Sequence, residues 1–185
     1  VGDYAGALGY GLPEVLAGVA ALGRVRRRAD GLTSPEELTL DRLRSDPDFE
    51  GVSNAGPHAP KFEKWINRGG TVELMPEGHF RYSADIDLLG QPQRISVEYP
   101  DGYPDFRPFM THPSGVRAVE IDVSGDPKID RLRANAAAGR TDWDSMPPTG
   151  WTWHHVEDAR TMQLVPSVIN QRFGHQGGAS IARNR

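Results

Sequence analysis

Apolar residues recur at helical spacing near the start of the chain. Leu12, Val15, Leu16, Val19 and Leu22 predict a helix from Pro13 to about Arg28. Ser34-Pro35-Glu36-Glu37 has the form of a capping box with Pro at the first helical position. It predicts a second helix carrying Leu38, Leu40 and Leu43 and stopping near Asp46-Pro47. Lys61 to Arg68 reads as a short helix closed by Gly69-Gly70. The period then changes. Thr71–Leu74, His79–Leu88 and Gln93–Tyr99 read as strands, joined by turns at Pro76-Glu77-Gly78 and Gly90-Gln91-Pro92. Arg117 to Val123 reads as a further strand, and Asp126-Pro127 caps a helix that runs to about Ala138 and ends at Gly139. Near the end, Trp151–Val156 and Thr161–Val165 are two β-type runs around a tight polar turn. Pro166 then opens a helix to about Phe173, so the chain closes on a β–β–α unit.

These elements predict an α+β fold in three parts. A linker and helical N-terminal segment occupies residues 1–48, and an α+β scaffold with a central antiparallel β-rich region occupies 49–140. The β–β–α unit falls in 141–185. The chain begins at Val1 and so reads as a piece of a longer polypeptide, and residues 1–30 read as a connector dispensable for activity. With 21 Gly and 15 Pro in 185 residues, many turns and ordered loops are expected. There is no cysteine, which excludes disulfides, zinc–thiolate sites and thiol nucleophiles. No apolar run approaches the roughly 20 residues that span a bilayer, so no membrane partner is expected. The apolar stretch Leu12–Leu22 has its basic residues after it, the wrong order for a signal peptide.

Net charge is −4, yet the charge is uneven. After Asp158 there is no acidic residue, whereas Arg160, Arg172, Arg183 and Arg185 follow. That asymmetry points to a local phosphate-binding face. Arg26-Arg27-Arg28 reads as a solvated helix end. His58, His79 and His112 each stand alone in loop or turn contexts and read as structural.

Potential metal or proton-transfer groups gather on the C-terminal unit. His154 and His155 are adjacent on the first strand, so their side chains are expected on opposite faces unless twisting or a bulge brings them together. Asn170 and His175 lie on or just past the helix. Phosphodiester hydrolysis needs a base near neutral pH, a cation to offset charge on the phosphate, and ligands that leave the cation open positions. His155 as base, with His154 and Asn170 or His175 as ligands, meets all three needs. An adjacent His pair alone is more often an incidental surface feature, and three imidazoles holding a structural metal in a non-enzymatic interaction domain is the bland alternative.

The wording around the pair decides between them. Gly150-Trp151-Thr152-Trp153-His154-His155-Val156-Glu157-Asp158, then Met162-Gln163-Leu164-Val165-Pro166, then His175-Gln176-Gly177-Gly178 resembles the WHH branch of the HNH/endonuclease VII superfamily. Those nuclease domains sit at the C-termini of polymorphic bacterial toxins. Tyr103-Pro104-Asp105-Phe106, Val119-Glu120-Ile121 and Ala134-Asn135 also resemble the segment that precedes the motif in that family.

The resemblance implies a ββα-metal finger with His155 as general base and His154 as metal ligand. Asn170 falls where the family more usually has His, and His175 matches a later His that is a ligand or a phosphate contact. Trp153 is expected to pack the strand on the finger's helix. One divalent cation is implied, Mg²⁺ in the cell, with Zn²⁺, Mn²⁺ or Ni²⁺ as other candidates. The implied protein is a monomeric, secreted antibacterial effector that cleaves DNA in the cytoplasm of the target cell and is held by a cognate immunity protein. A ribonuclease on the same fold is the alternative. Pro104-Asp105 with Glu120-Ile121-Asp122 partly matches the PD-(D/E)xK pattern, but Asp122 stands where that pattern needs Lys.

Overall fold

In the computed structural model the described residues are 23–56, 59–88, 90–144 and 146–174. The first predicted helix up to residue 22, and His58, His175, Arg183 and Arg185, lie outside them.

Residues 23–29 are helical (α1) and pack into the fold, where a connector was expected. Val25 and Ala29 are each 1% exposed and belong to the main core. Nor is Arg28 a solvated helix end. Its guanidinium donates to Glu36 and Asp46 at 2.9 Å and to Asp48 at 3.2 Å. The bond to Glu36 leads in raising its pKa, against the opposing effect of burial.

Glu36 and Glu37 thereby do not take the helical places expected of them. Glu36–Glu37 form a short strand (β1), not the first turn of a helix. Glu36 is held by Arg28 and Arg42, and the Leu38 N–H bonds the Val72 carbonyl at 2.8 Å. Strand pairing and two guanidinium partners outweigh a local capping box. The second helix (α2, Leu40–Ser45) starts later, with Thr39 as its cap, the hydroxyl accepting from the Arg42 N–H at 3.2 Å. It stops before Asp46-Pro47 as expected.

A third helix (α3, Phe62–Ile66) leads into β2 (Thr71–Leu74), β3 (Phe80–Leu88) and β4 (Gln91–Tyr99). The antiparallel order is β1-β2-β3-β4. Leu88 pairs with Gln91, so Pro92 lies inside β4 and not in the turn. An outer strand tolerates the missing N–H. Trp65 of α3 packs edge-on against Tyr82 of β3, which in turn meets Tyr99 of β4, all within this core. The Tyr82 hydroxyl donates to the Pro60 carbonyl at 2.8 Å, and the Ala55 N–H donates to it at 3.1 Å.

A second sheet has the order β5-β7-β6, with β5 at Ala118–Glu120, β6 at Trp151–His155 and β7 at Thr161–Pro166. It is clasped by two helices. On one face α4 (Pro127–Ala137) buries Ala134 against Trp153, Met162 and Leu164. On the other, Val165 joins Ile169 of α5 (Ser167–Arg172) and Phe173 in the main core. The structure is thus mixed α and β with antiparallel sheets, as the pattern of apolar positions predicted.

Candidate active site

The β6–β7 ladder runs in regular register, with Trp153 opposite Leu164, His154 opposite Gln163 and His155 opposite Met162. Directly paired residues share a face, and successive residues alternate. His155 therefore shares the α4 face with Trp153, Met162 and Leu164. His154 takes the face of Thr152 and Val165, which α5 covers. No bulge brings the two imidazoles together within this ladder.

On the α4 face His155 meets a carboxylate. Asp126 caps α4, its side chain accepting from the Lys128 and Ile129 N–H groups. The cap turns the chain so that Asp130, in the first helical turn, points back under the strand. Asp130 is fully buried. One oxygen accepts from the Ser124 N–H and hydroxyl, each at 2.7 Å. The other accepts from the Gly125 N–H at 3.1 Å and stands 3.0 Å from His155 Nε2. Burial pushes this carboxyl up, but the bonds from Ser124 and then from His155 together bring it below the usual range.

An ionised carboxylate only accepts hydrogen bonds, so Nε2 of His155 carries the ring hydrogen. In the neutral ring that leaves Nδ1 with its lone pair, on a side chain that is 11% exposed. This is an imidazole with fixed orientation and tautomer and one free basic nitrogen.

Trp153 braces the same face. Its Nε1 donates to Asn135 Oδ1 at 2.7 Å, and Asn135 donates to the Asp144 carbonyl at 3.1 Å. Trp153 therefore packs its strand on α4, not on the C-terminal helix as expected. The alternation of the strand dictates this: Trp153 must share the face of His155.

On the opposite face His154 is buried, 4% exposed, with its ring edge-on to Phe106 at 4.9 Å. Beside it opens a cleft of about 270 Å³ lined by Asp101, Tyr103, Asp105, Glu157 and Gln163 among others. Asp105 is tied to Arg107 at 2.6 Å, which, with burial opposing, holds its carboxyl low. Burial raises the Tyr103 phenol, and the nearby negative charge of Glu157 adds to the rise.

Asn170 of α5 has its side-chain carbonyl oxygen buried without a hydrogen-bond partner. An orphaned acceptor of this kind costs about 1–3 kcal/mol. A cation would satisfy it, and an imidazole with an amide oxygen is a donor set that divalent metals accept. Among the described residues, no three His, Asp or Glu side chains form a metal-binding group. His175, the other candidate ligand, lies outside them.

The remaining candidates divide. Arg160 is paired with Glu120 at 2.8 Å, both side chains exposed. The Asp122 side chain is 97% exposed. With Asp105 and Glu120 each taken by an arginine, the PD-(D/E)xK pattern assembles no acidic site. Arg172 stacks on Trp65, its guanidinium carbon 4.5 Å from the ring centroid. His112 is wedged edge-on between Trp143 and Trp151 and its pKa is lowered, by burial first and then by Arg140. His79 faces Glu98 at 3.1 Å.

Asp130 and Ser124 were invisible in the sequence as site residues. Asp130 is simply an acid in the first turn of a helix, and only the fold brings it under a strand 25 residues downstream.

Residues 144–185 match the model of the WHH family, described as a nuclease of the HNH/ENDO VII superfamily with conserved WHH. The activity of that family is phosphodiester hydrolysis, its substrate class is nucleic acid, and Trp153, His154 and His155 lie within the matched segment. A comparison with curated proteins found no match. No helix among the described residues is long and apolar enough to cross a membrane.

Proposed function

We propose that the chain is a metal-dependent DNA endonuclease that acts as an antibacterial effector, with His155 as its general base. The observation that carries the proposal is the buried Asp130–His155 pair, set within a segment that matches a nuclease family. His155 accepts a proton from the attacking water at Nδ1. Asp130 holds the ring, keeps its hydrogen on Nε2 and stabilises the imidazolium that forms.

His154 and Asn170, together with His175, are the residues that would hold one divalent cation in a ββα-metal arrangement. The buried imidazole and the orphaned amide oxygen fit that role. When bound, the cation supplies Lewis-acid stabilisation of charge on the phosphate and leaving oxygen. β6 is the outer strand of its sheet and turns one imidazole to each face. The cellular metal is proposed to be Mg²⁺.

The sequence resemblance to toxin-borne domains supports the rest of the reading. On that reading the chain is a secreted, monomeric effector that works in the target-cell cytoplasm and is neutralised by an immunity protein.

The test incubates the purified chain with plasmid DNA and, separately, RNA, in Mg²⁺, Mn²⁺, Zn²⁺, Ni²⁺ or chelator. Metal-dependent nicking of plasmid, lost in His155→Ala by about 10²–10⁴-fold, is the expected result. Cleavage of RNA alone replaces the DNase with a ribonuclease. A His155→Ala variant that cuts at the parental rate removes the base assignment.

A further inference from the structure

A groove of about 340 Å³ runs between α3 and α5, lined by Lys61, Lys64, Trp65, Arg68 and Arg172, and reaching Gly174. Lys61 caps α3, Lys64 lies on it and Arg68 follows it, all three exposed. Among the described residues none of these four cations is paired with a carboxylate. The chain as a whole is net negative, and the cleft beside His154 is lined by acids, so this concentration of unpaired positive charge is local.

The groove is also stiff. Arg172 is stacked on Trp65 and donates to the Arg68 carbonyl at 3.3 Å. Trp65 is itself fixed by bonds from Nε1 to the carbonyls of Thr71 and Ser83, at 3.1 and 3.2 Å. A guanidinium held against an aromatic face loses little freedom when it meets an anion. Gly174, at one end, is the residue before candidate ligand His175, so the groove adjoins the proposed reaction centre along the chain. α3 lies outside the segment matched by the family.

We propose that this groove binds the sugar–phosphate backbone of the nucleic-acid substrate beside the scissile bond. The identity of the ligand rests on the nuclease reading. Backbone contacts of this kind position a strand without reading its sequence.

The test replaces Lys61, Lys64 and Arg68 with Ala together, in the full chain carrying His155→Ala so that the probe stays intact. Binding to a labelled DNA duplex is followed by anisotropy from 50 to 200 mM salt. Four phosphate contacts give a log–log salt slope of about −3.6, or an affinity loss of roughly 150-fold across that range; one remaining contact gives about 3.5-fold. The triple variant should bind more weakly at low salt and show the shallower slope, with a melting temperature near the parent's because all three side chains are exposed. Arg26→Ala with Arg27→Ala, two exposed cations on α1, should leave both measures unchanged.

An unaltered slope in the triple variant overturns the proposal, as does a parent that binds no duplex or an equal loss from the α1 pair. Cleavage by the unsubstituted chain is scored separately. A chain that cuts while the triple variant binds normally loses only the groove, and one that cuts nothing while the triple variant loses binding loses only the nuclease reading.

Discussion

Replacing Asp130 with Asn tests how far the chemistry of His155 depends on a residue outside the matched segment. The amide keeps the shape of the carboxylate, and its oxygen still accepts from Ser124. Its NH₂ group then stands where the second oxygen accepted from the Gly125 N–H and faced His155 Nε2. A donor in that place has two effects. It opposes the Gly125 N–H, leaving a buried donor unsatisfied at about 1–3 kcal/mol. At about 2–4 °C per kcal/mol for a chain of this size, melting should fall by roughly 2–12 °C. It also donates to Nε2, which moves the ring hydrogen to Nδ1 and removes the lone pair that receives the water's proton. A wrong tautomer of this kind lowers turnover by up to about 10⁴-fold. Single-turnover cleavage of a labelled duplex, well below the melting temperature, reads the rate, and nitrogen chemical shifts of the His155 ring read the tautomer. Parental cleavage by Asp130→Asn would refute the reasoning. So would a slow variant whose ring still carries its hydrogen on Nε2, because Asp130 would then act through stability alone.

Three further outcomes follow from the same geometry. Because the folded state holds Asp130 below its ordinary 3.8, its carboxylate stabilises the fold above that pH and the contribution is lost as pH falls through the lowered value; the stability gap between parent and Asp130→Asn, measured by urea unfolding, should shrink below about pH 4. Asn170→Leu removes a buried acceptor that has no partner, so it should melt at or above the parent's temperature without metal while losing the stabilisation that added Mn²⁺ or Zn²⁺ gives the parent; an unchanged metal response would remove Asn170 from the ligand set. Truncation to Gly31 strips Val25 and Ala29 from the core and Arg28 from its three carboxylates, and should cost at least about 2–3 kcal/mol, which a truncated chain of parental stability would contradict.

Among the described residues periodicity located most helices and strands because each buries a face whose spacing is local. β2 and α4 fall within a residue of their expected ends, and β6, β7 and α5 fold as the predicted β–β–α order. Where the reading failed, a distant partner had overridden a local signal. The capping box at Ser34 lost to Arg28 and to the Val72 carbonyl, neither of which lies in that stretch. The site divides the same way. His154 and His155 were legible as a pair on a strand, and alternation foretold their opposite faces. What each imidazole meets was not legible, because Asp130 and Phe106 arrive from other elements. Arg172 was legible as a cation, but the lysines it joins lie more than a hundred residues upstream, beside Arg68.

The matched segment alone should not be a working unit, and the reason lies in what its two faces touch. Met162 and Leu164 are wholly buried, but part of what covers them is supplied from upstream, through Ala134 and the partly buried Val119 and Ile121. On the other face Val165, Ile169 and Phe173 are wholly buried in a core whose other members include Trp65, Tyr82 and Tyr99. The Tyr99 hydroxyl also donates to the Phe173 carbonyl at 3.3 Å. Cut free, a chain starting at Thr141 exposes five apolar side chains that the intact fold buries. At about 1.5–3 kcal/mol each, the loss is roughly 8–15 kcal/mol, as large as the whole stability of an ordinary domain. It also loses Asp130, and with it the fixed ring of His155. The fragment 141–185 should therefore give a disordered circular-dichroism spectrum and no cleavage, while the chain from residue 23 onward folds and cuts. A folded fragment, or one that nicks plasmid at the parental rate, would mean that the hairpin and α5 carry their own core and that α4 is not needed to orient the base.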